Sequence, residues 1–183
     1  AVDFLKGTAI DNRLWDVTVA QGGELLASGG IAADAEAGAG MMREAFQSGK
    51  AAEKFAQMVH ALGGPADFME KAELYLAKAP VEAPVYAEQD GVVTGVDARA
   101  VGVAVVALGG GRRAAADVID PSVGLTSLAG VGNTVDADAP LAIVHARTEA
   151  EAEEAAVAVR KAYTIGSAAD VIDRPSVIER IAP

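Results

Sequence analysis

Two cations set against three glycines are the residues of this chain best placed to do chemistry. Gly109-Gly110-Gly111-Arg112-Arg113 follows the apolar run Val101 to Leu108, and Asp117, Asp120 and Pro121 come soon after. Glycine reaches backbone angles that strain other residues. Arginine carries a fixed charge on a planar fork that suits an anion. The run therefore fits either a tight corner with solvated arginines or a mobile loop that touches an anion. Asp117 and Asp120 could pair with Arg112 and Arg113 and pin it. As a general acid and base the two aspartates lack a visible water-activating or leaving-group partner. The run also lacks the Lys-Ser/Thr of a P-loop and the spacing of a dinucleotide fingerprint.

The other candidates are weaker. His60 follows Val59 in a helical stretch, and His145 ends an apolar strand. Neither forms a metal-ligand or nucleophile pattern, so a structural or surface role is expected of both. Glu149, Glu151, Glu153 and Glu154 read as a solvated helix face. The absence of cysteine excludes disulfides, zinc thiolates and a cysteine nucleophile, and it fits a reducing compartment. No catalytic, cofactor-binding or metal-binding residue is assigned, and no cofactor is expected.

The elements that must position these residues fall into two parts. The 183 residues are 51% hydrophobic but only 4% aromatic, so Ala, Val, Leu and Ile must build the core. A net charge of −11 argues against a nucleic-acid or anionic-membrane partner. No stretch approaches the roughly 18 to 20 apolar residues of a membrane span. Ala1-Val2-Asp3-Phe4-Leu5-Lys6 does not look like a signal peptide; it reads as the tail of a helix that starts upstream.

Helical spacing dominates residues 1–79. Asn12 is expected to cap a helix carrying Leu14, Trp15, Val19, Leu25 and Leu26 that ends at Ser28-Gly29-Gly30. Asp34 caps a second helix with Met41, Met42, Ala45 and Phe46, stopped by Gly49. A third runs from about Lys50 to Leu62, where Gly63-Gly64-Pro65 stops it. Their Met and aromatic positions read as core. Ala79-Pro80 and Ala83-Pro84 mark a linker, and the pattern turns to strands. Strands are expected at Val85-Tyr86-Ala87, Gly91 to Val96, Val101 to Leu108 and Leu141 to His145. Asp120-Pro121-Ser122 should open a short helix reaching Leu128. Gly130 to Asp136 fits turns around a short strand. Thr148 and Glu151 form a capping box for a helix ending at Arg160 and Lys161. Tyr163-Thr164-Ile165 and Ser176 to Ile181 complete the expected strands.

Asp90-Gly91-Val92-Val93, Val131 to Val135 and Pro140 to Val144 resemble the sandwich of biotinyl and lipoyl carrier domains. Those domains present a modified lysine on a hairpin, and no lysine lies between Lys78 and Lys161. The barrel-sandwich style is expected without the carrier function.

A second resemblance covers nearly the whole chain. Asn12 to Thr18, Ser48 to Phe55, Gly63 to Phe68, and Gly109 to Arg113 with Ile119 to Gly124 resemble the bacterial thymidine phosphorylases in motif order and spacing. Related pyrimidine-nucleoside phosphorylases share the layout but carry a single arginine in the loop, so Arg112-Arg113 favours the thymidine branch. The resemblance implies a cytoplasmic homodimer that uses thymidine and phosphate and closes a small helical lobe onto a large α/β lobe. It implies an α/β (α+β) fold: helices of the large lobe over 1–79, then a β-rich α/β-hammerhead domain over 80–183. The family's Lys-His-Ser phosphate loop and its base-holding Arg, Ser and Lys map onto no position here. The chain is therefore expected to be a C-terminal portion, inactive alone and prone to self-association; a free-standing, non-catalytic structural or binding module is the alternative. In the full enzyme, Gly109 to Arg113 is expected to be a closure loop.

Overall fold

The computed structural model describes residues 1–172 and 174–181. They divide into two units, one of residues 1–75 with 174–181 and one of residues 76–172. The division follows the change from helical spacing to short strands, but it places the last residues with the helices.

The first unit holds α1 (Val2–Lys6), α2 (Asn12–Ser28), α3 (Ala35–Gln47), α4 (Lys50–Ala61) and α5 (Phe68–Tyr75). Asp34 caps α3 as expected, its carboxylate accepting from Ala37 N at 2.8 Å. The cap of α2 is Asp11 rather than Asn12, with Leu14 N donating at 2.8 Å. The two residues are adjacent and both are good caps, so composition alone could not choose between them. Gly49, at φ +77°, makes the left-handed step between α3 and α4. α2 and α3 cross at Gly23 and Gly38, where a Cβ on Gly38 would stand 2.4 Å from the Gly23 carbonyl oxygen. Trp15 and Phe46 pack edge-on at 4.6 Å, with Phe4 against both.

The strand expected over Ser176 to Ile181 does not form. This segment is irregular, and side chains rather than a neighbouring strand engage it. Ser176 Oγ donates to Asp16 at 3.3 Å, and Arg180 pairs with Glu24. Its β-branched residues lack a sheet edge to pair with, and Ile178 and Ile181 stay exposed.

The second unit contains β1 (Val81–Val85), β2 (Gly91–Val96), α6 (Ala98–Leu108), β3 (Gly124–Thr126), β4 (Thr134–Val135), β5 (Ala142–Ala146), α7 (Glu149–Ala162) and β6 (Tyr163–Gly166). A single 3-10 turn follows at Ala168–Asp170. Two antiparallel three-stranded sheets form, ordered β1-β5-β3 and β4-β2-β6. The fold is mixed α/β. Its core joins Val85, Val93, Val135, Leu141 and Val144 to Ala152, Ala156 and Val159 of α7. Small alanines let the helix lie close to the strands, which is how a core with few aromatics fills its volume.

Three expected elements are corrected in this unit. The run Val101 to Leu108 is helix, not strand. Asp97 caps it, accepting from Ala100 N at 2.9 Å, and Gly109 ends it at φ +99°. Ala104 and Leu108 are buried, with Ala100 and Val101 packed beside them, while Gly102, Val103 and Ala107 face out. That is a helical stripe, and a short apolar run cannot reveal it without the packing partner. Next, Asp120 to Leu128 forms no helix: the Asp120 carboxylate folds back onto Ser122 N and Oγ at 2.9 and 2.6 Å, and β3 follows. Finally, the strand expected at Val85-Tyr86-Ala87 lies earlier, at Val81–Val85, and includes Pro84. β1 is an edge strand, where a missing N–H is tolerated.

Asp97→Ala should lower the stability of this unit by about 1 kcal/mol, the usual cost of losing an N-cap. Denaturant unfolding followed by circular dichroism measures it.

Candidate functional site

The glycine-arginine loop is built at the C-terminal end of α6. Gly109 takes the left-handed conformation that closes the helix, with Gly109 N and Gly110 N donating to Val106 and Val105 carbonyls at 3.1 and 3.0 Å. Gly110 and Gly111 are required by space: a Cβ on either would come within 2.9 Å of Val105 or Val106 methyl carbons. Asp120 N then donates to Gly109 O at 3.0 Å, tying the two ends of the loop together.

The expected pairing of aspartates with arginine side chains is not what holds the loop. Asp117 Oδ2 instead accepts the backbone N–H groups of Arg113 and Ala114, both at 2.9 Å. Asp120 is committed to Ser122. The Arg113 guanidinium makes one long bond to Ala107 O at 3.5 Å. Arg112 is exposed and makes no ion pair among the described residues. The loop root is thus fixed through its backbone, while its arginine side chains remain available. A shallow groove of about 290 Å³ lies beside it, lined by Val106, Gly111, Arg113 and Val118.

One residue that sequence reasoning missed supports this corner. Arg147 donates to Glu151 at 2.7 Å and to Leu108 O at 3.3 Å. Its guanidinium lies 3.6 Å from where a Cβ of residue 109 would stand. The Glu151 carboxylate raises the Arg147 pKa, and Arg147 holds Glu151 below its ordinary range. The acidic face of α7 is therefore partly paired rather than merely solvated, since Glu153 also meets Arg160 at 3.5 Å. The i,i+4 spacing of Arg147 and Glu151 was a readable signal; the link to Leu108 was not.

The Ala114 and Arg113 backbone N–H groups hold the Asp117 carboxyl below its ordinary pKa, with a smaller contribution from the Arg113 charge. A carboxyl lowered on folding stabilises above its unfolded pKa, and that stabilisation is lost as pH falls through the folded value. The loop root should therefore loosen only below the ordinary aspartate pKa of about 3.9. Hydrogen exchange at the Arg113 and Ala114 amides, compared between neutral and acid pH, should show selective loss of protection there.

The histidines do not join the loop. His60 Nδ1 lies 3.3 Å from Gly64 O, at the end of α4. His145 bridges its sheet, with Nε2 2.7 Å from Thr126 Oγ1 and Nδ1 3.6 Å from Glu82. The contact to Glu82 is too long to orient the ring as a base, so the set acts as a cross-strand clip. Among the described residues no group of three or more His, Asp or Glu could hold a metal ion, and no helix is long and apolar enough to cross a membrane.

Comparison with known proteins decides the lineage. Residues 92–166, from β2 through β6, match the pyrimidine nucleoside phosphorylase C-terminal domain. The whole chain is 51% identical to a thymidine phosphorylase of Mesorhizobium japonicum. It is also 51% identical over 182 residues to one of Burkholderia lata and 48% identical over 181 residues to one of Burkholderia cenocepacia. The chain belongs to the thymidine and pyrimidine-nucleoside phosphorylase family, as its C-terminal portion. It spans 100% of itself but only 42% of the length of the Mesorhizobium relative, and 41% of the two Burkholderia relatives. In this phosphorylase domain the Gly109 loop, the Asp117 anchor and the Arg147 brace all fall inside the matched span.

Proposed function

We propose that this chain is the C-terminal part of a thymidine phosphorylase, which converts thymidine and phosphate into thymine and 2-deoxy-α-D-ribose 1-phosphate. The observation that carries the reading is about one-half identity to thymidine phosphorylases along the entire chain. In the reaction a phosphate oxygen bonds to the sugar carbon as the bond to the base nitrogen breaks. The departing base then takes up a proton. Such chemistry is driven by positioning and by stabilising a cationic sugar, with little covalent work for the protein.

The role of this portion is to complete the large lobe and to present Arg112 and Arg113 at the closing cleft. A backbone-anchored root suits that task, with Arg112 unpaired among the described residues and Arg113 held by one long bond, because the loop can reach an anion without giving up its own fold. The groups that hold phosphate and base lie in the remainder of the protein, which acts as a cytoplasmic homodimer without a cofactor. The matching domain is described for pyrimidine nucleosides generally, which supports a broader phosphorylase as the second reading. Supplying the full-length protein with phosphate and either thymidine or uridine tests both. Phosphorus NMR should show 2-deoxyribose 1-phosphate forming much faster than ribose 1-phosphate. Comparable rates would favour the broader enzyme, and no sugar phosphate from either would reject both readings.

A further inference from the structure

A second concavity lies in the same unit, away from the loop. It is a half-open hollow of about 430 Å³. Ile165 and Val157 of α7 give it accessible apolar walls, and Leu141 and Tyr163 close it from beneath with little surface of their own. Leu141 and Tyr163 are buried core residues, so the floor is rigid. The Tyr163 hydroxyl donates to Ala129 O at 3.1 Å, and burial pushes its phenol pKa up, so the ring brings no charge.

Arg160 and Lys161 also line it, where α7 passes directly into β6. Arg160 Nε donates to Tyr86 O at 3.2 Å and its Nη1 reaches Glu153 at 3.5 Å. The Tyr86 bond orients the guanidinium, the Glu153 contact is long, and Nη2 has no partner among the described residues. Lys161 is exposed and makes no ion pair among the described residues. Two cations over an apolar floor stand out in a chain of net charge −11.

Other charges set the ligand's valence. Glu88 lines the same space, and the C-terminal end of α7 carries the negative pole of its dipole. Both oppose any anion, so Glu88 partly offsets the two cations and leaves a small net positive charge, which one negative charge on a ligand suffices to balance. An arginine fork and an ammonium are the usual partners of a carboxylate. We propose that this hollow binds a small organic monocarboxylate whose apolar body packs between Val157 and Ile165 over Tyr163.

The 183-residue chain can be titrated with phenylacetate, with uncharged phenylacetamide and with acetate, following amide NMR shifts. Phenylacetate should give saturable shifts centred on Gln89, Lys161 and Ile165. Phenylacetamide and acetate should each bind about fivefold or more weakly, as loss of a charge-assisted contact or of the apolar body requires. Lys161→Gln should weaken phenylacetate about threefold to tenfold, and Lys161→Arg should restore it. Glu88→Gln should tighten it, a reading independent of the lysine. Equal binding of phenylacetamide, shifts centred elsewhere, or no tightening by Glu88→Gln would overturn the proposal.

Discussion

Gly38→Val should destabilise the helical unit by about 3 kcal/mol or more, at the upper end for overpacking a tight interface. The added Cβ would stand 2.4 Å from Gly23 O and 2.9 Å from Gly23 Cα. Both are backbone atoms, so no side chain can rotate away; α2 and α3 must separate. Their approach is shared, because a Cβ on Gly23 would meet Ala35 O at 2.6 Å. Gly40 supplies the contrast on the same helix. Nothing lies within 4 Å of a Cβ placed there. Gly40→Ala should therefore stabilise by roughly 0.5–1 kcal/mol, the ordinary gain of replacing a mid-helix glycine. Denaturant midpoints of the two variants should move in opposite directions. If Gly38→Val leaves the midpoint in place, α2 and α3 do not cross at these glycines.

The largest functional effect is expected at the loop. Replacing Arg112 and Arg113 with alanine in the full-length enzyme should lower turnover about 100-fold, the scale of removing a preorganised charge from a closing site. Stability should barely change. Arg112 makes no ion pair among the described residues, and the Arg113 side chain has only its 3.5 Å bond to Ala107 O. The bonds that hold the loop use the Arg113 and Ala114 backbone N–H groups on Asp117, which alanine keeps. Turnover and melting temperature, measured on the same variant, separate the two roles. A fall in both would mean the arginines are structural, and unchanged turnover would make the loop only a corner.

Much of this arrangement was legible in the sequence. Asp34, Thr148 and the glycines at 49 and 63 announced helix ends because capping is local chemistry. β2, β5 and β6 were legible as short β-branched runs bounded by turn residues. The errors fell where one local pattern serves two structures. Val101 to Leu108 is rich in valine, yet it lies helical because Asp97 caps it, Leu108 joins the core and Ala104 is buried. Ser176 to Ile181 has strand composition and no strand to pair with. At the site, the glycines and arginines were visible as a loop, and Asp117 and Asp120 together as candidate anchors. That the anchor grips backbone rather than guanidinium depends on a turn geometry that composition does not encode. The Arg147 contact to Leu108 joins residues 39 positions apart, and only the fold brings them together.

This chain belongs to a phosphorylase family, and the proposed role is that it completes a site held by the rest of the protein. Phosphate-dependent release of thymine from thymidine, followed by ultraviolet absorbance, tests it most directly. The purified 183-residue chain should release no thymine under conditions where the full-length protein turns over steadily. Sustained, phosphate-dependent thymine release by the 183-residue chain alone would contradict the account.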